Sequence, residues 1–77
     1  MNARHRLQSI FREVFSDPKL VLTPDLSPAS LPDWDSVATV HLVLAVEEEF
    51  QVRFSTDEVA SITTAADLLR YLEKRGI

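Results

Sequence analysis

Residues 36–50 read as one apolar helix with a marked start and a marked end, and this stretch constrains the rest of the chain. Asp35 stands where a side chain is needed to accept from the free N–H groups of a first helical turn. Ser36 follows at the first helical position, with its hydroxyl turned outward at the helix tip, and Glu47-Glu48-Glu49-Phe50 closes the run. At about 100° per residue, Thr39, Val43, Val46 and Phe50 fall on one line with Leu42 beside it, which defines a core face. Val37, Val40 and Leu44 gather on another side, next to His41, Glu47 and Glu48. A small surface helix does not need this second stripe for its own folding.

The flanking segments supply more helices. Leu7, Ile10, Phe11 and Val14 recur at the spacing of one buried face, so a first helix is expected from about Ala3 to Phe15, with Asn2 as its cap. All four prolines, Pro18, Pro24, Pro28 and Pro32, lie in residues 16–34. A connection of that length is longer than the ordinary loop, and Leu20, Val21, Leu22, Leu26 and Leu31 are expected to tack it over the core. Ser55-Thr56-Asp57-Glu58 is a capping box with Phe54 and Val59 as its hydrophobic staple, opening a short third helix that ends near Ser61. A fourth starts after Thr64, with Asp67 as the box partner, Leu68, Leu69 and Leu72 as its buried face, and Tyr71 at the edge. Gly76, the only glycine, suits the final stop. The expected fold is an all-α four-helix bundle with three longer helices, a short third one and a long ordered loop between the first two. Residues 1–77 form a single domain.

Seventy-seven residues bury only about 60% of the unfolded surface, so stability is expected to be small. The absence of cysteine removes disulfides, a thiolate nucleophile and any Cys-based metal site. His5 and His41 lack ligand spacing, so no metal site is expected. No apolar run reaches the roughly 18 residues of a membrane span, and the basic N-terminus lacks the apolar stretch of a secretory signal. A monomer in the cytoplasm is the expectation. The net charge is −4, and residues 20–52 hold Asp25, Asp33, Asp35, Glu47, Glu48 and Glu49 with no Lys or Arg. That field attracts basic partners and repels phosphate backbones, which argues against nucleic-acid binding.

Ser36 taken alone is an ordinary first-turn serine. Catalysis by it fits poorly. His41 lies about 140° around the helix and cannot pair with it, and the single glycine rules out a Gly-x-Ser-x-Gly elbow. Glu47, Glu48 and Glu49 sit against the helix dipole, at a cost of a few tenths of a kcal/mol each, which something must offset. Docking of a basic partner around the Val37, Val40 and Leu44 stripe is one such offset. Trp34 reads as an anchor of the loop on the bundle.

Asp35-Ser36-Val37 followed by Glu47-Glu48-Glu49-Phe50, with Arg53-Phe54-Ser55 entering the third helix and Ile62-Thr63-Thr64 before the fourth, resembles the acyl carrier protein family over nearly the whole chain. The resemblance implies a non-enzymatic carrier with a 4'-phosphopantetheine arm on Ser36. Asp35 would assist modification, helping to position Mg²⁺ in the complex with a phosphopantetheinyl transferase. It also implies acyl-loading and acyl-processing partners with basic docking surfaces, and thioester cargo in fatty-acid, polyketide or related specialised biosynthesis. Val37, Val40, His41, Leu44, Glu47 and Glu48 are the partner-binding candidates. Thr39, Val43, Val46, Phe50, Ile62, Leu68 and Tyr71 are the candidates for an acyl-sheltering interior, with Val43, Val46, Phe50, Ile62 and Leu68 expected between the second and fourth helices. Val37 stands where the family usually has leucine, Trp34 where it has a small residue, His41 where it is often acidic, and Gln51 where glycine, asparagine or aspartate eases the helix exit. These departures point to a specialised rather than a housekeeping member. A peptidyl or D-alanyl carrier is the alternative within the class, and a helical interaction module without an arm is the alternative outside it.

Overall fold

The computed structural model describes residues 2–77. Helices α1 (Ala3–Val14), α2 (Ser36–Phe50), α3 (Thr56–Ser61) and α4 (Ala65–Lys74) are the regular elements among them. Each begins at a side-chain cap. Asn2 Oδ1 accepts from the His5 N–H at 2.9 Å, and Asp35 Oδ1 from the Ala38 N–H at 2.8 Å. Ser55 with Glu58, and Thr64 with Asp67, form reciprocal capping boxes. These bonds satisfy the orphan donors that would otherwise fray each first turn.

The core joins Leu7, Ile10 and Phe11 of α1, Ala38, Leu42, Val43, Val46 and Phe50 of α2, and Ala65, Leu68 and Leu72 of α4, with Ile62 and the loop residues Leu20, Leu22 and Trp34. The closest helix pairs are α1 with α2, α1 with α4, and α2 with α3. The most extensive of these contacts is between α1 and α2, and Val43, Val46, Phe50, Ile62 and Leu68 share the one core. Val14 and Leu69 are half-buried at the margin of the core.

The long loop is held by α1 and by α4. Gln8 Oε1 accepts from the Leu22 N–H at 2.8 Å, Arg4 donates to Leu22 O at 3.1 Å, and Arg12 donates to Leu20 O at 2.7 Å. The carbonyls of Leu26 and Pro24 accept from the Ala65 and Ala66 N–H groups, at 2.9 and 3.2 Å, capping α4 from outside. Val21 is 62% exposed and does not help to tack the loop, because Leu20 and Leu22 on either side of it point inward.

Candidate functional site

Ser36 is the first residue of α2 and is exposed. Two of the acceptors of Asp35, Oδ1 and the carbonyl, are used by residues beyond the serine. Oδ1 takes the Ala38 N–H, and the carbonyl takes the Thr39 N–H at 3.0 Å and the Thr39 hydroxyl at 3.1 Å. The turn is thus gripped on either side of Ser36, whose own hydroxyl has no hydrogen-bond partner among the described residues. Trp34 is buried, with its ring against Phe11 and Phe15.

Down the outer side of α2, Val37, Val40 and Leu44 are 60%, 48% and 57% exposed. At 1.5 Å per residue they form an apolar stripe of about 10 Å starting beside Ser36. His41 and Glu48 are exposed around it. The three glutamates differ. Glu49 turns to α1, where Arg6 pairs with its carboxylate at 2.9 Å, donates to its carbonyl at 2.8 Å and lies over the Phe50 ring. Glu47 is half-buried and accepts from the Phe54 N–H at 2.8 Å. Only Glu48 makes no side-chain bond among the described residues. Two of the three unfavourable charges at this helix end are therefore offset within the molecule.

Two depressions lie end to end along the seam between α2 and α3. One of about 320 Å³ is lined by Ser36, Thr39, Val40, Val59, Ala60 and Ile62. The next, of about 300 Å³, is lined by Val40, Val43, Leu44, Glu47, Phe54, Thr56 and Val59. Thr39, Val43 and Ile62 of the expected acyl pocket border this seam. Val46, Phe50, Leu68 and Tyr71 do not. Val46 and Leu68 are sealed in the core, Phe50 lies under Arg6, and Tyr71 stacks edge-on against Phe54 and bonds the Ser61 hydroxyl. The space opens beside α3 because that helix has six residues and buries none of them, so it covers α2 incompletely. Sequence reasoning missed Phe54, Thr56, Val59 and Ala60 as lining residues. The staple pair Phe54 and Val59 was the available signal.

Two carboxylates are held below the ordinary range. The Ser55 N–H, followed by the Arg75 guanidinium, lowers Glu58. Burial acts to raise Asp67, but the Thr63 N–H and hydroxyl, the Thr64 N–H and Arg70 outweigh it. Both belong to the capping of α3 and α4 and lie outside the Ser36 site.

The family described as "Phosphopantetheine attachment site" matches residues 5–72. This chain belongs to the acyl carrier protein family. It is 36% identical over 66 residues to the acyl carrier protein of Acidothermus cellulolyticus, covering 86% of this chain and 79% of that one. It is 41% identical over 39 residues to acyl carrier protein 3 of Ralstonia nicotianae, covering 51% of this chain and 45% of the relative. Its fold is similar to the solution structure of holo acyl carrier protein from Geobacter metallireducens, with a TM-score of 0.85 and 30% identity over 96% of this chain and 85% of that one. The protein is an acyl carrier with covalent phosphopantetheine, a carrier and not an enzyme, and it works with a phosphopantetheinyl transferase and with biosynthetic enzymes. The donor set suits such an arm: an exposed hydroxyl with no protein partner among the described residues, on a firmly capped turn, opening onto an apolar seam. No helix among the described residues is long and apolar enough to cross a membrane.

Proposed function

We propose that Ser36 is the attachment residue of the carrier, and that the outer face of α2 is where its enzymes dock. The carrying observation is that exposed hydroxyl without a protein partner among the described residues, on a turn where Asp35 is bonded to Ala38 and Thr39. In attachment the Ser36 oxygen bonds to the pantetheine phosphorus of coenzyme A and forms a phosphodiester as the donor's pyrophosphate bond breaks, with 3',5'-ADP leaving and the hydroxyl proton passing to a base or water in the transferase complex. Asp35 spends Oδ1 on the helix cap, and Oδ2 remains to meet Mg²⁺ in the transferase complex. The cargo is then a thioester on the arm's thiol.

The exposed Val37, Val40 and Leu44 stripe, with His41, Glu47 and Glu48 at its rim, supports docking of partners that present Lys and Arg around an apolar centre. Such contacts associate fast, bind weakly and weaken with salt. Val37, Trp34, His41 and Gln51 at their positions favour a specialised biosynthetic role. The carrier acts as a monomer in the cytoplasm.

Incubation with coenzyme A, Mg²⁺ and a broad-specificity transferase adds one arm, read by mass. Ser36→Ala abolishes the addition with the helical circular dichroism unchanged. Addition to Ser36→Ala at the wild-type rate refutes the assignment.

A further inference from the structure

Trp34 immediately precedes the Asp35-Ser36 turn, and its indole does more than fill space. The ring is 3% exposed and packs edge-on against Phe11, with 5.5 Å between centroids. Its Nε1–H donates to Thr39 Oγ1 at 2.8 Å. The Thr39 hydroxyl in turn donates to the Asp35 carbonyl at 3.1 Å. An indole N–H can only donate, so the threonine hydroxyl must accept from it and aim its own proton at Asp35. The result is a directed chain from the α1 core to the peptide bond that enters Ser36. Each bond in such a chain polarises the next. The Ser36 side chain has no anchor of its own among the described residues, so the placement of its Cα and Cβ is inherited from this chain and from the Asp35 cap.

We propose that Trp34 is a positioning residue for arm attachment. Acting through Thr39, it holds the peptide that enters Ser36, and with it the Ser36 Cα–Cβ bond, in place relative to the docking face, so that a transferase seated on α2 has only the side-chain rotamer to select. The inference rests on Ser36 being the attachment residue. Docking uses the outer stripe of α2, which the latch does not touch. Loss of the latch therefore slows the transfer step and leaves carrier affinity alone.

The test is steady-state transferase kinetics on the apo carrier with coenzyme A and Mg²⁺, at a temperature where every variant is folded. Trp34→Phe keeps a ring against Phe11 and removes the donor. Thr39→Val keeps the branched shape and removes the hydroxyl, whereas Thr39→Ser retains it. Loss of the latch is expected to lower kcat roughly tenfold, below the ~100-fold that a full 1 Å misplacement costs, with KM for the carrier within about twofold. Thr39→Ser recovers the rate relative to Thr39→Val, and the double variant Trp34→Phe/Thr39→Val is no slower than either single one, because both break one chain. In Thr39→Val the indole N–H resonance of Trp34, the only tryptophan, also shifts and exchanges faster. Leu72→Val, a core change in α4, serves as a stability control and leaves kcat unchanged. An unchanged kcat, a rise in KM alone, equal slowing of Thr39→Ser and Thr39→Val, or equal slowing by Leu72→Val overturns the proposal. Wild-type carrier that gains no arm at Ser36 instead strikes the reading beneath it.

Discussion

Glu47 and Glu48 are adjacent residues of the same charge on the two edges of the apolar stripe, yet reversing them to Lys should give different results. Glu47 accepts from the Phe54 N–H at 2.8 Å across the turn between α2 and α3, and that donor is partly buried. Glu48 makes no side-chain bond among the described residues and is exposed. A hydrogen bond to a charged group contributes about 1.5–3 kcal/mol, and solvent screening of the half-buried Glu47 reduces this to about 1 kcal/mol. In a domain of this size that is a fall in Tm of about 4–8 °C for Glu47→Lys. Glu48→Lys should stay within about 0.5 kcal/mol of wild type. Glu47→Gln keeps an acceptor oxygen and should recover most of the stability without the charge. All three should slow arm attachment at low salt, because each weakens the field that draws a basic partner, and the differences should shrink as salt is added. Urea denaturation and initial transferase rates between low and physiological ionic strength measure both effects. Equal stability of Glu47→Lys and Glu48→Lys would show that the Phe54 bond contributes nothing. Rates insensitive to salt and to all three changes would remove the α2 face as the docking surface while leaving Ser36 as the attachment site.

Phe50→Ala should cost roughly 3–5 kcal/mol by urea denaturation, because the ring is buried and also lies under Arg6; a loss below about 1 kcal/mol would contradict its burial. Gln51 ends α2 at φ 56°, where a side chain is strained, so Gln51→Gly should stabilise by about 0.5 kcal/mol, with the bond from Gln51 Nε2 to the Glu48 carbonyl limiting the gain. Asp67 has a folded-state pKa below its unfolded value, so its contribution is present above the unfolded pKa of about 3.8 and is lost as pH falls through the lower folded value. Asp67→Asn should therefore destabilise at pH 7 and flatten the acid limb of a Tm-against-pH curve; an unchanged acid limb would refute this. Val40→Asp should slow arm attachment by putting a charge at the centre of the apolar stripe, with little change in Tm, since Val40 is about half exposed.

The helix starts were legible in the sequence because capping is local. Asp35 with Ala38, Ser55 with Glu58 and Thr64 with Asp67 are each three residues apart, so residue identity and spacing suffice. The two stripes of α2 were legible for the same reason, since helical period alone separates Val43 and Val46 from Val37, Val40 and Leu44. The place of Ser36 at the first turn was legible from the cap before it, but its reading as the attachment residue rests on the family resemblance. The tertiary structure decided what depends on the relative placement of elements. Glu49 reaches Arg6 across 43 residues of sequence, and Glu47 reaches Phe54 only because the turn after α2 folds back on the helix end. No local pattern could therefore divide the three glutamates into two structural residues and one without a side-chain bond among the described residues. The seam beside Ser36 was hidden for a similar reason. An acyl-sheltering interior among Val46, Phe50 and Leu68 is what the family resemblance implies, and in the structure these residues are buried in the core, whereas the short α3 leaves the other side of α2 only partly covered.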